Sequence, residues 1–308
     1  MIAVLVHNPN YAASTELVKA FSIIGPTELI SLERGHEVYE RDPGHLIGQE
    51  YDVCLDIIQR ADVIVFGDAT SFQTMARLWP MEDLGEILHG KKSAALLADS
   101  EYITNPDRYA DLCEAYGIRM FTLPGYRPLN MDAIPFHHPF EWDGEVVKGE
   151  RVLVVHSPAQ ENKRRMKGTN PIERAVGEVM AHNGNFTYKR EMGLPYAEVI
   201  EKKSHAHIFI DQFTPEAALP CVGRNGCEGM ALGCVTLSSM YPAEMVKGYF
   251  YMPPVIGLTS EVQMQAALEQ LTGMQASELA YMGREGAAWA RDNISYRAFI
   301  RYIMKYGV

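Results

Sequence analysis

Residues 151–182 read RVLVVHSPAQENKRRMKGTNPIERAVGEVMAH. RVLVVH is a short, continuous apolar run, as a strand covered on both faces requires, and an amphipathic run starts at Pro171 and continues to about His182. A strand followed by a helix is half of a crossover unit. Between the two stand Lys163, Arg164, Arg165 and Lys167, four cations in five positions, leading into Gly168 and Thr169. A basic run ahead of a helix is usually a solvated loop. The sharper reading is a bound anion, which unpaired N–H groups and the dipole of a helix start would favour. Only other segments that need the same anion decide between the two.

The alternation extends both ways from this stretch. Downstream, FTYKRE (186–191), HIFIDQ (207–212) and CVTLSS (234–239) read as strands, with helical patterns at 196–203, from about 226 and near 260–271. Upstream, Ile2–Val6, DVIVFGD (62–68), SAALLAD (93–99) and RMFTLP (119–124) are strands, with helices expected at 14–24, capped by Ser14, and around 47–60, 72–88 and 106–116. Strands alternating with helices imply parallel sheets covered on both faces. Residues 125–150 break this rhythm with prolines, aromatics and a Trp-Asp-Gly turn and read as a linker. The expected class is therefore α/β, with two Rossmann-like doubly wound domains meeting at a cleft outside the carboxyl ends of their strands.

Composition narrows the functional classes. The chain has 308 residues, enough for two domains, with 47% hydrophobic and 22% charged residues, as expected of a folded globular protein. A net charge of −11 disfavours a general nucleic-acid binder, whose affinity rests on clustered Lys and Arg. Five cysteines without a CxxC spacing read as reduced thiols in a cytoplasmic protein. No signal peptide and no apolar run of membrane-spanning length stand out.

The second anion-seeking segment is CVGRNGCEGMALGCV, residues 221–235. Gly223 and Gly226 flank Arg224 and Asn225, and the helix that follows carries Glu228 in its first turn. Glycines let a ligand approach the backbone, a helix start attracts phosphate, and a carboxylate one turn in can accept from both hydroxyls of a ribose. Alone, Glu228 is as well read as an acidic residue favouring a helix start. Together with the basic run, it suits a diphosphate linked to a ribose.

These residues carry a resemblance. HSPAQENKRRMKGT, the acidic strand end IFIDQ, and GRNGCEGMALGC are similar to the C-terminal domain of GT-B-fold glycosyltransferases of the family 4, or group 1, type. GREGAAWARDNIS at 283–295 resembles their closing helices, and the match covers about 150–308. The resemblance implies an acceptor-binding domain at 1–148, a nucleotide-sugar-binding domain at 149–285, and a terminal helix at 286–308 that returns to the first domain. It implies that Lys167 contacts the donor phosphates, helped by Lys163, Arg164 or Arg165, that Gly168 and the helix start at Asn225, Gly226 and Cys227 lie against the diphosphate, and that Glu228 binds the ribose. Asp211 and Gln212 end a strand nearby. Two positions depart from the family pattern: Pro220 stands where a first glutamate is often found, and Asn8-Pro9-Asn10 replaces a glycine pair.

In the first half Asp68, Asp99 and Glu101 fall at strand ends, where each could position an acceptor hydroxyl, act as a base, or cap a helix. The catalytic candidates are Asp99, Glu101 and Asp211. His7, His137 and His138 are weaker candidates, and the aromatic stripe of Trp289, Tyr296, Phe299 and Tyr302 reads as packing. The expected activity is hexosyl-type transfer from a nucleoside-diphosphate sugar, such as a UDP-sugar, with no metal and no further cofactor, and with retention implied by the family. The acceptor is open, a nucleic acid included. A non-catalytic binding subunit and a nucleotide-sugar epimerase on the same fold are the rival expectations.

Overall fold

A computed structural model describes residues 1–6, 12–31, 44–78, 81–98, 100–158, 167–214 and 221–308. The chain divides into two compact units, Met1–Pro139 with Tyr296–Val308, and Phe140–Ser295.

The first unit is built on a parallel sheet of β1 (Ile2–Val6), β2 (Thr27–Ser31), β3 (His45–Leu46), β4 (Val63–Phe66), β5 (Lys92–Leu97), β6 (Arg119–Thr122) and β7 (Ile134–Pro135), in the order β3-β2-β1-β4-β5-β6-β7. The helices are α1 (Ala12–Phe21), α2 (Tyr51–Arg60), α3 (Ala69–Leu78), α4 (Met81–Leu88), α5 (Ser100–Thr104) and α6 (Pro106–Ala115). The central strands are apolar because both faces are covered: Leu5, Ile64, Phe66 and Leu97 share one cluster with Phe72 and Tyr109. The unit is completed by the terminal helix Tyr296–Lys305. Tyr296 donates its hydroxyl to Glu16 Oε2 at 2.5 Å, Phe299 meets Phe21 edge to face with centroids 6.0 Å apart, and the Tyr302 hydroxyl donates to the Pro135 carbonyl at 2.5 Å. The aromatic stripe thus serves packing here, and in the other unit Trp289 donates Nε1–H to the Tyr251 carbonyl at 2.8 Å.

Two local expectations are corrected. Ser14 is not a helix cap, since the helix already runs at Ala12 and Ser14 is buried inside it. The segment 72–88 holds two helices, α3 and α4, in place of one. β2, β3 and β7 were not expected. β3 and β7 are two-residue edge elements, β2 beside β3 is only half-buried, and β7 uses a proline where only one neighbour pairs with it.

The second unit is a five-stranded parallel sheet of β8 (Val152–His156), β9 (Phe186–Arg190), β10 (Ile208–Ile210), β11 (Val235–Ser238) and β12 (Ile256–Gly257), in the order β12-β11-β10-β8-β9. Its helices are α7 (Thr169–His182), α8 (Tyr196–Ser204), α9 (Arg224–Ala231), α10 (Glu261–Thr272) and α11 (Ala276–Asn293), which makes Tyr296–Lys305 α12. Val154, Ile208 and Leu237 of neighbouring strands meet Val176 and Leu268 in the core. The division between units falls at Pro139/Phe140 rather than 148/149, and a reason is visible in the ties of the intervening segment. Lys148 Nζ donates to the carbonyls of Ala206 and Leu232, and His205 Nδ1 lies 2.8 Å from the Val147 carbonyl. All five cysteines are buried thiols. Among the described residues no helix is long and apolar enough to cross a membrane.

Candidate functional site

The strand ends of the second unit place the candidate residues. His156 closes β8 with 0% exposure, its Nδ1 2.8 Å from the Ile210 carbonyl and its Nε2 2.9 Å from Thr169 Oγ1. Burial pushes its pKa down to about 4, with Lys167 adding to the effect and the Ile210 carbonyl opposing it. The ring is therefore neutral, and the partners fix its tautomer: Nδ1–H donates to the carbonyl, and Nε2 accepts from the threonine hydroxyl. One imidazole thus ties β8, β10 and the start of α7 together.

Gly168 precedes α7 in the left-handed region, with φ +65°, and a Cβ there would lie 1.7 Å from the Phe213 carbonyl oxygen. Only glycine fits such an approach. The Phe213 N–H donates to the Lys167 carbonyl at 3.0 Å, so Lys167 on one side of Gly168 is held by the chain that leaves β10 and Thr169 on the other by His156 of β8. Lys167 is consequently pinned: its Nζ donates to Asp211 Oδ1 at 3.2 Å and to Gln212 Oε1 at 3.0 Å.

Asp211 joins Lys167 to the glycine turn. Its Oδ2 accepts from the Gly223 N–H at 2.7 Å and from Ser238 Oγ at 3.1 Å. A Cβ on Gly223 would lie 3.1 Å from Lys167 Nζ, and one on Gly226 would lie 2.9 Å from Asp211 Oδ2. Both glycines keep the backbone against the ion pair, so the ammonium stands at the first turn of α9. Gly223, the N-cap residue, has no side chain with which to cap that helix. The N–H groups of a first turn lack intrahelical partners, whereas the Cys227 N–H is already taken by the Gly223 carbonyl at 3.1 Å. The Cys227 thiol is buried and pushed well above its usual pKa by that burial, so it adds no charge.

Glu228 is 1% exposed yet surrounded by donors. Lys203 Nζ lies 2.5 Å from Oε2, while Arg224 Nε and the Tyr196 hydroxyl each donate to Oε1 at 2.8 Å. Burial is the largest influence on this carboxyl and pushes its pKa up, but Lys203, Arg224 and the Tyr196 hydroxyl together outweigh it and hold the group below the usual carboxylate range. It is a buried anion with its charge balanced.

The structure thus brings Lys167, Gly168, Asp211, Asn225, Gly226, Cys227 and Glu228 into one neighbourhood of one unit. Lys163, Arg164, Arg165, Asp99, His7, Pro220 and the 8–10 turn lie outside the described residues. Glu101 belongs to the other unit, in α5, where its Oε1 accepts from Asn105 Nδ2 at 3.1 Å and the Tyr109 hydroxyl at 3.4 Å. Asp68 accepts the Ser71 N–H at 2.6 Å, which is a helix-start cap. His137 is buried and its pKa is lowered to about 3 by burial. Sequence reading missed Tyr196, Lys203 and Ser238. Lys203 falls three residues after the buried Ile200 on the same helix face, a spacing that marks the face but not the partner.

No protein-family model matches the sequence, and no curated protein sequence does. Solved structures match along nearly the whole chain. An alpha-glucosyltransferase in complex with UDP-glucose and DNA containing an abasic site is 10% identical, with a TM-score of 0.66 over 99% of this chain and 98% of that one. Anabaena Alr3699/HepE in complex with UDP and glucose is 9% identical, with a TM-score of 0.67 over 99% and 98%. S. aureus MnaA with UDP is 11% identical, with a TM-score of 0.56 over 99% and 96%. At such identities the likeness is one of backbone architecture, and it agrees with two parallel sheets of seven and five strands. The chain has the GT-B fold.

Proposed function

We propose that this chain is a glycosyltransferase that takes its sugar from a uridine-diphosphate donor held in the second unit. The observation that carries this reading is the meeting of Lys167 with the glycine-led start of α9 across Asp211, with Glu228 one turn further along the same helix. An ammonium and a helix start suit a diphosphate, and a carboxylate suits the hydroxyls of the adjoining ribose. Uridine is favoured because solved structures of the same fold hold UDP or UDP-glucose.

The chemistry follows from charge. When the glycosidic bond breaks, negative charge develops on the departing diphosphate, and fixed donors aimed at it lower the barrier. Lys167 is 21% exposed and faces that charge, whereas Asp211 is 0% exposed and hydrogen-bonded on both oxygens. Asp211 is accordingly assigned the positioning of Lys167 rather than proton transfer. Neutralisation by these groups supports a leaving group that departs without a metal, and the family resemblance supports retention of the anomeric configuration.

The test uses a panel of UDP-, GDP- and ADP-sugars, with binding followed by calorimetry and turnover by release of the nucleoside diphosphate, in the presence and absence of a chelator. UDP binding and chelator-resistant turnover are expected, with turnover falling by about 10²–10³-fold in Lys167→Ala. Absence of binding to every nucleotide refutes the reading. Binding without turnover across a panel of acceptors assigns the chain to a binding role, and isomerisation of the donor's sugar without acceptor assigns it to epimerisation.

A further inference from the structure

The two oxygens of Glu228 are used unequally. Oε2 accepts from Lys203 at 2.5 Å, and both side chains are closed to solvent, at 0% and 1% exposure. Oε1 accepts from Arg224 Nε and from the Tyr196 hydroxyl, and Arg224 is 16% exposed. One edge of the carboxylate is an anchor, and the other lies beside the more open group.

Lys203 also reaches the helix start. Its Nζ donates to Asn225 Oδ1 at 3.0 Å and stands 4.8 Å from the centre of the Phe209 ring, while Asn225 Nδ2 donates to the Ser157 carbonyl at 2.9 Å. A single ammonium therefore links α8 to two positions of α9 and, through Asn225, to the chain leaving β8. Burying an ion pair costs desolvation that the attraction only partly offsets, and an apolar pair of similar volume would stabilise the core as well or better. What the ammonium supplies and an apolar side chain could not is a carboxylate kept ionised in a fixed orientation.

We propose that Lys203 is a positioning residue for nucleotide recognition, holding Glu228 by Oε2 so that Oε1, which Arg224 and the Tyr196 hydroxyl also hold, is the oxygen that the hydroxyls of the nucleotide's ribose engage. Closed to solvent, Lys203 acts only through Glu228 and Asn225. The proposal rests on the reading of this site as a nucleotide-sugar site, and it adds a residue to it.

The experiment is a cycle of protein against ligand. UDP, 2′,3′-dideoxy-UDP and inorganic pyrophosphate are titrated calorimetrically into the wild-type chain and into Lys203→Met. Wild type is expected to prefer UDP over its dideoxy analogue by roughly 10- to 100-fold, the value of hydrogen bonds to a charged group. In Lys203→Met the preference should fall to within about 3-fold, while pyrophosphate affinity falls by less than the preference does, because Lys167 keeps Asp211 and Gln212 and Asn225 keeps its bond to the Ser157 carbonyl. Lys203→Gln keeps a neutral donor to Glu228 and Asn225 and should show an intermediate preference. A merely structural role would weaken all three ligands in parallel and leave the preference intact, which overturns the proposal, as does failure of both variants to fold. No UDP binding by the wild type refutes the functional reading itself, whereas a wild-type preference that survives in Lys203→Met refutes this inference alone.

Discussion

Helix α2 in the first unit and helix α9 in the second each carry an ion pair between residues four apart, and the two pairs differ in everything that sets their energy. Asp56 and Arg60 sit 2.6 Å apart with 58% and 64% of their side chains exposed. The acid precedes the base, the favourable order along a helix. Arg224 and Glu228 sit 2.8 Å apart with 16% and 1% exposed, and the order is reversed, with a cation at the positive end of the helix dipole. Local preference explains the first pair and argues against the second. The second exists because a buried carboxylate demands compensation from whatever can reach it, and Lys203 alone satisfies one oxygen. Charge in the α2 pair decorates local structure; in the α9 pair it is built into the interior.

The largest effect should come from breaking the buried side of this comparison. Glu228→Ala leaves Lys203 buried against an apolar ring, with only Asn225 as an oxygen partner of its ammonium among the described residues. Removing one member of a buried pair typically costs about 3–5 kcal/mol. Glu101→Ala, in the first unit, removes an acceptor of two neutral donors and should cost about 1 kcal/mol. Urea unfolding of both variants checks the ratio. Equal losses would mean that Glu228 is no more than a surface acid.

Acid titration gives the next effect. His156 has its pKa lowered to about 4 by burial, against an ordinary value of 6.5. A depressed folded-state pKa means that the unfolded chain binds the proton first. The stability is therefore fully present above pH 6.5, declines as the pH falls, and levels off below about 4. Glu228 also has a lowered pKa, but its contribution is lost only as the pH falls below its ordinary value of 4.5. Between pH 6 and 5 the imidazole is thus read separately from that carboxylate. Unfolding free energy measured there should fall with a slope that His156→Gln reduces by roughly 1 kcal/mol per pH unit. His137 in the first unit, shifted to about 3 by burial, supplies an equivalent slope that the same variant leaves in place. An unchanged slope in His156→Gln would show that its ring is hydrated or already charged.

The same contrast explains what could be read from the sequence. Continuous apolar strands such as Ile2–Val6 and Val152–His156 announce themselves because both faces are buried, and their alternation with helices led to two parallel sheets. The edges were illegible: β3 and β12 are two residues long, and β7 contains a proline. Lys167, Gly168 and the 223–228 turn were legible because their residue types answer to local geometry, a positive φ in one case and a glycine-lined approach in the other. Lys203 was not. It lies in YAEVIEKKS, where adjacent lysines near a helix end look like solvated charges favoured by the dipole, and the partner that makes one of them special is 25 residues away. Lys202 keeps the ordinary role, pairing at 3.1 Å with Glu198 on the surface. Sequence pattern reports which face a residue occupies far better than which distant group waits there.

The smallest expected effect sharpens the comparison from the exposed side. Asp56→Ala removes the carboxylate that Arg60 meets, but both groups are well hydrated without each other, so little desolvation is recovered or lost. Pairs of this kind contribute about 0.3–0.5 kcal/mol, and salt screens them. The variant should shift the unfolding midpoint by a degree or so, on the order of what such an energy does to a domain of this size, and the shift should vanish at high ionic strength. Spacing is the property that the α2 and α9 pairs share, and burial the property that separates them. A salt-insensitive loss above about 1 kcal/mol in Asp56→Ala would make spacing the source of the energy, and the demand placed on Lys203 by a buried Glu228 would then have no special cause.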